Sequence, residues 1–217
     1  MSVRKIIFRS CMNTLAAIFI LLVFMVGMLV AVYPETMMNI SYDMGMEKSC
    51  VWFAERAYKR HNKIDTIAFA TSVAVEQNMY GKVVTCGEQM IADNEFAVYC
   101  DFKDKLNHDK YGDLTIGGTP IVEIIGTYDQ YVYAQVSIAR YKLGDKDGAL
   151  ERAVNAVELT AEFPRNNAFA SLLLEVYEFG DEDFLQTLLL EMDDLYRDGW
   201  ADGSKDYFND LRVAVSG

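Results

Sequence analysis

Asp101, Asp104 and His108 are spaced three and four residues apart. On a helix they share one face, where two carboxylates and an imidazole could meet a metal ion. Asp109 and Asp113 continue the acidic run, so a metal-dependent sensor or enzyme built on residues 101–113 is one reading. In an acidic chain a solvated acidic face accounts for the same residues, and it is the preferred reading. Asp198, Asp202 and Asp206 recur every four residues around Gly199 and Gly203, which is not the spacing of a calcium loop. His61 follows Lys59-Arg60 and reads as a solvated basic helix end. Four cysteines without a CxxC pair, and only two histidines, argue against a zinc module. Cys86 and Cys100 flank a turn near Asp93-Asn94 at similar distances, so they could form a disulfide across antiparallel helices. Unpaired buried thiols, with Cys50 among them, are the favoured alternative. There is no glycine-rich phosphate loop, HExxH or GxSxG. The expectation is therefore no catalytic residue, no metal, no cofactor and no small-molecule substrate.

The elements that carry these residues follow from charge and hydropathy. The chain has 217 residues, enough for one to two domains. Its net charge is -12, from 20 Lys and Arg against 32 Asp and Glu. All the acidic residues lie at or beyond Glu35, while Arg4, Lys5 and Arg9 precede it. Residues 1–33 thus carry +3 and residues 34–217 carry -15. A nucleic-acid binder needs a basic face, so that class is disfavoured. Three prolines and 52% hydrophobic residues argue against disorder.

Ser10 to Tyr33 contains no charged residue, and Leu15 to Val32 reads LAAIFILLVFMVGMLVAV. About 20 helical residues cross a bilayer core, so this stretch predicts a membrane span. Basic residues before it and acidic residues after it place the N-terminus in the cytosol and residues 34–217 outside. Tyr33 stands where an interfacial aromatic belongs. Leu29-Val30-Ala31 would suit a cleaved signal peptide, but the run is longer than a typical signal core, which favours an uncleaved anchor. The domain expectation is therefore 1–33 as cytosolic N-terminus and span, and 34–217 as an extracytoplasmic helical domain.

Beyond residue 34 the apolar spacing is helical. It predicts helices over roughly 44–61, over Ile64–Met79, around Val83–Ile91 and over Phe96–Leu106. A loop follows over 107–118. Thr119-Pro120 predicts an N-cap with proline at the first helical position, opening a long helix to Leu143 that breaks near Gly126. Gly144-Asp145 and Gly180-Asp181 each predict a left-handed helix stop followed by a capping aspartate. Helices are predicted over 147–163 and 182–197, with one between them opened by Asn166-Asn167, and a last one over 205–215.

The two Gly-Asp pairs lie 36 residues apart, a period typical of helical solenoids. Tyr133 to Leu159, YAQVSIARYKLGDKDGALERAVNAVEL, resembles a tetratricopeptide repeat (TPR). Tyr133 matches the large residue early in the family's first helix. Val136-Ser137 match its leucine and small residue, and Leu143-Gly144-Asp145 its turn. Ala149, Ala153 and Ala156 match the small residues of its second helix. Those alanines share one face and would let paired helices approach closely. Pro164 stands later than the family's proline. A weaker repeat follows, with Phe169, Leu172 and Gly180-Asp181 in place but Leu185 and Met192 where small residues are expected, so this pair should pack more loosely or act as a cap. Upstream, Ile67, Ala70, Thr71 and Val83 fit the pattern, with Asn78 at the turn. The clearest repeats span 130–197.

The resemblance implies an all-α fold, a membrane helix followed by an antiparallel helix-pair solenoid, that binds a protein partner instead of catalysing a reaction. The family's groove positions fall on Tyr131, Ala134, Ile138, Tyr141, Asn167, Ala170, Leu174 and Tyr177. This row is apolar and aromatic, and it lacks the Lys/Asn clamp that some members use for a peptide carboxylate. It would suit a hydrophobic peptide or a partner helix. The competing expectation is that another helix of the same chain covers it. A further alternative is a structural subunit whose membrane helix makes the main contact.

Overall fold

The computed structural model of the chain describes residues 3–158, 167–197 and 205–216. The described chain is mostly helical and divides into two compact units, 1–70 and 71–217.

In the first unit α1 (Val3–Val32) is one apolar helix, and Phe8–Val32 is long and apolar enough to cross a membrane. Pro34 occupies the first turn of α2 (Pro34–Asp43), where its missing N–H costs nothing. The sequence reading missed α2, because its mixture of polar and apolar residues has no clear period. A turn at Met44–Met46 leads into α3 (Glu47–His61), which packs against α2. Lys59, Arg60 and His61 fall in the last turn of α3, where the helix dipole favours positive charge. Asn62 closes it in the left-handed conformation.

The unit boundary falls inside α4 (Ile64–Glu76). The second unit continues with α5 (Tyr80–Ile91) and α6 (Phe96–Tyr111). A small antiparallel hairpin follows, β1 (Thr115–Ile116) and β2 (Thr119–Pro120), turned by Gly117 and Gly118, both at positive φ. Thr119-Pro120 therefore does not open a helix in the expected way. Thr119 is in a strand, and Pro120 is the cap of the short α7 (Ile121–Ile125). Gly126, at φ 73°, separates α7 from α8 (Tyr128–Lys142), so the long helix is broken where expected.

Two helix pairs follow: α8 with α9 (Lys146–Glu158), and α10 (Ala168–Phe179) with α11 (Glu182–Arg197). Gly144 and Gly180 are left-handed, at φ 85° and 76°. Asp145 then accepts from the Gly148 N–H at 3.1 Å, and Asp181 from the Phe184 N–H at 3.3 Å. Each glycine stop is thus followed by the capping aspartate that its sequence predicts. Both carboxyls are held below the usual carboxylate range, Asp145 chiefly by its bond from Arg140 and Asp181 chiefly by its bond from Lys146. Pro164, Asn166, Asp198 and Asp202 lie outside the described residues.

The core of this unit gathers Ala149, Ala153 and Val157 of α9 with Phe169, Leu172 and Leu173 of α10 and Leu188 of α11. The three alanines at 149, 153 and 156 are fully buried. Leu185 and Met192 are buried too, in a core cluster that includes Leu211 and Val215 of α12 (Lys205–Ser216). Arg212 of α12 reaches both carboxylate oxygens of Asp193 at 2.6 Å. As expected, α10 and α11 approach each other less closely than α8 and α9 do, and the larger residues of α11 are buried in a core that α12 shares.

Helix α5 meets α8 at Gly87. A Cβ placed there would overlap the Cγ2 methyl of Val136, which is itself fully buried. Next to this crossing Glu88 accepts from Arg140 Nη2 at 2.9 Å and also from Arg152, tying α5 to α8 and α9. Gly87→Val should lower stability by about 1–3 kcal/mol through overpacking. Adding Val136→Ala to the same chain should recover part of the loss. Thermal melts of the two single variants and the double variant test this, and additive losses would contradict the close contact.

Candidate functional site

Asp101, Asp104 and His108 lie on α6. Asp104 Oδ1 accepts from the Tyr128 N–H at 2.8 Å, so it holds the first turn of α8 against α6. Its carboxyl is pushed up by burial, an effect opposed by that same bond. Among the described residues no group of three His, Cys, Asp or Glu is placed to hold a metal ion. Cys50, Cys86 and Cys100 are buried and form no disulfide with one another. Burial, with Asp129, Asp104 and Asp101 nearby, pushes the Cys100 thiol up, which favours its protonated form.

The eight predicted groove residues divide into two sets. Tyr131, Leu174 and Tyr177 are exposed, at 41%, 39% and 44%. Ile138 is half-buried and lines a cleft. Ala134, Tyr141, Asn167 and Ala170 are buried. Asn167 is the N-cap of α10 and accepts from the Ala170 N–H at 2.9 Å, so its side chain serves the helix and not a ligand. Tyr141 is covered by the chain itself. Its ring stacks on Phe184 of α11 at 5.6 Å and meets Phe179 edge-on at 5.9 Å. Its hydroxyl lies 3.3 Å from Asp181, and its pKa is pushed up to about 12 by burial and by the Asp181 charge.

The cleft has a volume of about 260 Å³. Val75 in the last turn of α4, Tyr80 and Val83 of α5, Gln135 and Ile138 of α8, and Glu175 of α10 line it. Asn78, left-handed at φ 52°, Ala139 and Lys142 complete the lining. Lys142 Nζ is 2.5 Å from Glu175 Oε1 and 4.5 Å from the Phe179 ring centre, so its charge is already matched. Tyr131, Gln135, Ile138 and Lys142 follow one another at helical steps of four, three and four, which makes one stripe on α8. Sequence reading found Tyr131 and Ile138 of this stripe. It missed Gln135 and Lys142, although the same periodicity extended from Tyr131 reaches both. Beyond the stripe's N-terminal end, Tyr128 lies 5.9 Å from Tyr131 and 5.8 Å from Tyr99.

Comparison of this chain with family models, with curated proteins and with solved structures finds no match. The cleft combines apolar side chains, Val75, Val83 and Ile138 among them, with the polar Asn78, Gln135, Lys142 and Glu175, and Tyr131 and Tyr177 are exposed on the helices that flank it.

Proposed function

We propose that the chain is a membrane-anchored protein–protein interaction module, a scaffold or holding factor at a membrane complex. Its N-terminal helix spans the bilayer with the N-terminus in the cytosol, and residues 71–217 form a TPR-like array outside. The groove of that array takes a peptide or a partner helix. The observation that carries this reading is the cleft beside Ile138, together with the exposed Tyr131 of α8 and the exposed Leu174 and Tyr177 of α10. Left-handed turns at Asn78, Gly144 and Gly180 support the repeat, being spaced 66 and 36 residues apart. So does the packing of α10 against both α8 and α9. The apolar part of the lining, with exposed Tyr131, Leu174 and Tyr177, favours a hydrophobic segment, with binding energy drawn from area buried on the aromatic residues.

Exposed side chains contribute to binding and little to the fold of the free protein. Leu174→Ser with Tyr177→Ser should therefore abolish partner recovery from crosslinked membranes, while the melting curve moves by no more than about 0.5 kcal/mol per site. Unchanged recovery with both residues replaced would remove the groove from the account.

A further inference from the structure

The basic end of α3 is held at the end of the apolar helix. Arg60 Nη1 donates to the carbonyl oxygen of Ala31, in the last turn of α1. The final carbonyls of a helix have no partner within it and carry the negative end of its dipole, so a guanidinium is well matched there. Lys63 Nζ lies 3.1 Å from Glu35 Oε1 at the start of α2. Both contacts lie inside the unit formed by residues 1–70. Together they fix the last turn of α3 beside residues 31–35.

Arg56, Lys59, Arg60 and Lys63 are all exposed, at steps of three, one and three, so the first three share a helix face and Lys63 follows just past its end. They are four of the five basic residues in 34–70, a stretch with five acidic ones. Residues 71–217 carry twelve basic against twenty-seven acidic residues, so this cluster is a positive island on an acidic protein. When α1 crosses a bilayer, Ala31 lies where hydrocarbon gives way to headgroups. Arginine and lysine at that level pair with phosphate. The Lys63–Glu35 pair is exposed and worth little, so a phosphate can replace it. The cluster lies beyond the flanking residues that set orientation, and so does not oppose a cytosolic N-terminus.

We propose that this end of α3 binds lipid phosphate groups on the surface of the bilayer that α1 spans. The proposal rests on the reading of α1 as a membrane span. It adds a second, electrostatic attachment that orients the first unit against the membrane.

The test uses the full chain with Cys11→Ser and His61→Cys, labelled at residue 61 with an environment-sensitive fluorophore. Cys50, Cys86 and Cys100 are buried and stay unlabelled. The protein is reconstituted in phosphatidylcholine vesicles with or without phosphatidylglycerol, each containing a lipid spin-labelled on its headgroup. Quenching at residue 61 should be about twofold stronger with phosphatidylglycerol, and salt should weaken it. Arg56→Gln, Lys59→Gln and Lys63→Gln together should return it to the phosphatidylcholine level. Quenching that ignores both phosphatidylglycerol and salt overturns the lipid site while α1 remains a span, and it would leave the cluster to an acidic protein partner. Loss of the chain from the vesicles after an alkaline wash overturns the span and the lipid site together.

Discussion

Tyr141→Ala is expected to lower stability by about 3–5 kcal/mol, the cost of emptying an aromatic core site. Only 6% of Tyr141 is exposed, stacked on Phe184 and crossed by Phe179. The helix 182–197 cannot relax into the space, because Leu185, Leu188 and Met192 fix its position in the same core. Tyr141→Phe keeps the ring and loses only the contact with Asp181, so its cost should be about 0.5–1.5 kcal/mol. Tyr177→Ser, on the same predicted row but 44% exposed, should be nearly neutral. Thermal melting of the three single variants checks this order. A neutral Tyr141→Ala would mean that the ring stands free of Phe184 and Phe179.

Gln130→Leu is expected to be comparably severe. Gln130 is 1% exposed and buried between two chain segments. Its Nε2 donates to the Ala156 carbonyl at 2.9 Å, and its Oε1 accepts from the Ala168 N–H at 3.0 Å. One side chain thus joins the end of α9 to the start of α10. Leucine has nearly the same volume but strands a buried carbonyl and a buried N–H. Each orphan costs about 1–3 kcal/mol, so the pair costs about 2–6 kcal/mol. Gln130→Glu separates charge from shape: the carboxylate can still accept from Ala168 but cannot donate to Ala156. Denaturant melts of both variants decide the matter. A Gln130→Leu protein as stable as the parent would mean that water satisfies these groups.

Local chemistry was the legible part of the sequence. Gly144-Asp145 and Gly180-Asp181 each combine a residue free to adopt positive φ with one able to cap, and both turns form as read. The helix at 182–197 was bounded correctly because Asp181 opens it and its apolar residues recur at helical steps. Pro34–Asp43 lacks that recurrence and was missed. Thr119-Pro120 carried a valid helix-start pattern, yet Gly117-Gly118 folded the preceding residues into a hairpin that took Thr119 as a strand. The groove was half legible. A repeat template places Tyr141 and Ala134 on the concave side, but it does not reveal that Phe184, forty-three residues later, closes over Tyr141. Gln130 and Glu88 were invisible for the same reason: their partners lie 26 to 64 residues away in the chain.

The most direct measurement of the proposed function is site-specific photocrosslinking in intact membranes, with a photoreactive phenylalanine at Gln135, at Tyr177, or at Leu190. Gln135 lines the cleft and Tyr177 is exposed on α10, whereas Leu190 is an exposed apolar residue on α11 that lies outside the cleft. Discrete protein adducts from Gln135 and Tyr177, none from Leu190, and loss of the Gln135 adduct in a Leu174→Ser background are the predicted result. Adducts from Leu190 with none from Gln135 or Tyr177 would contradict it.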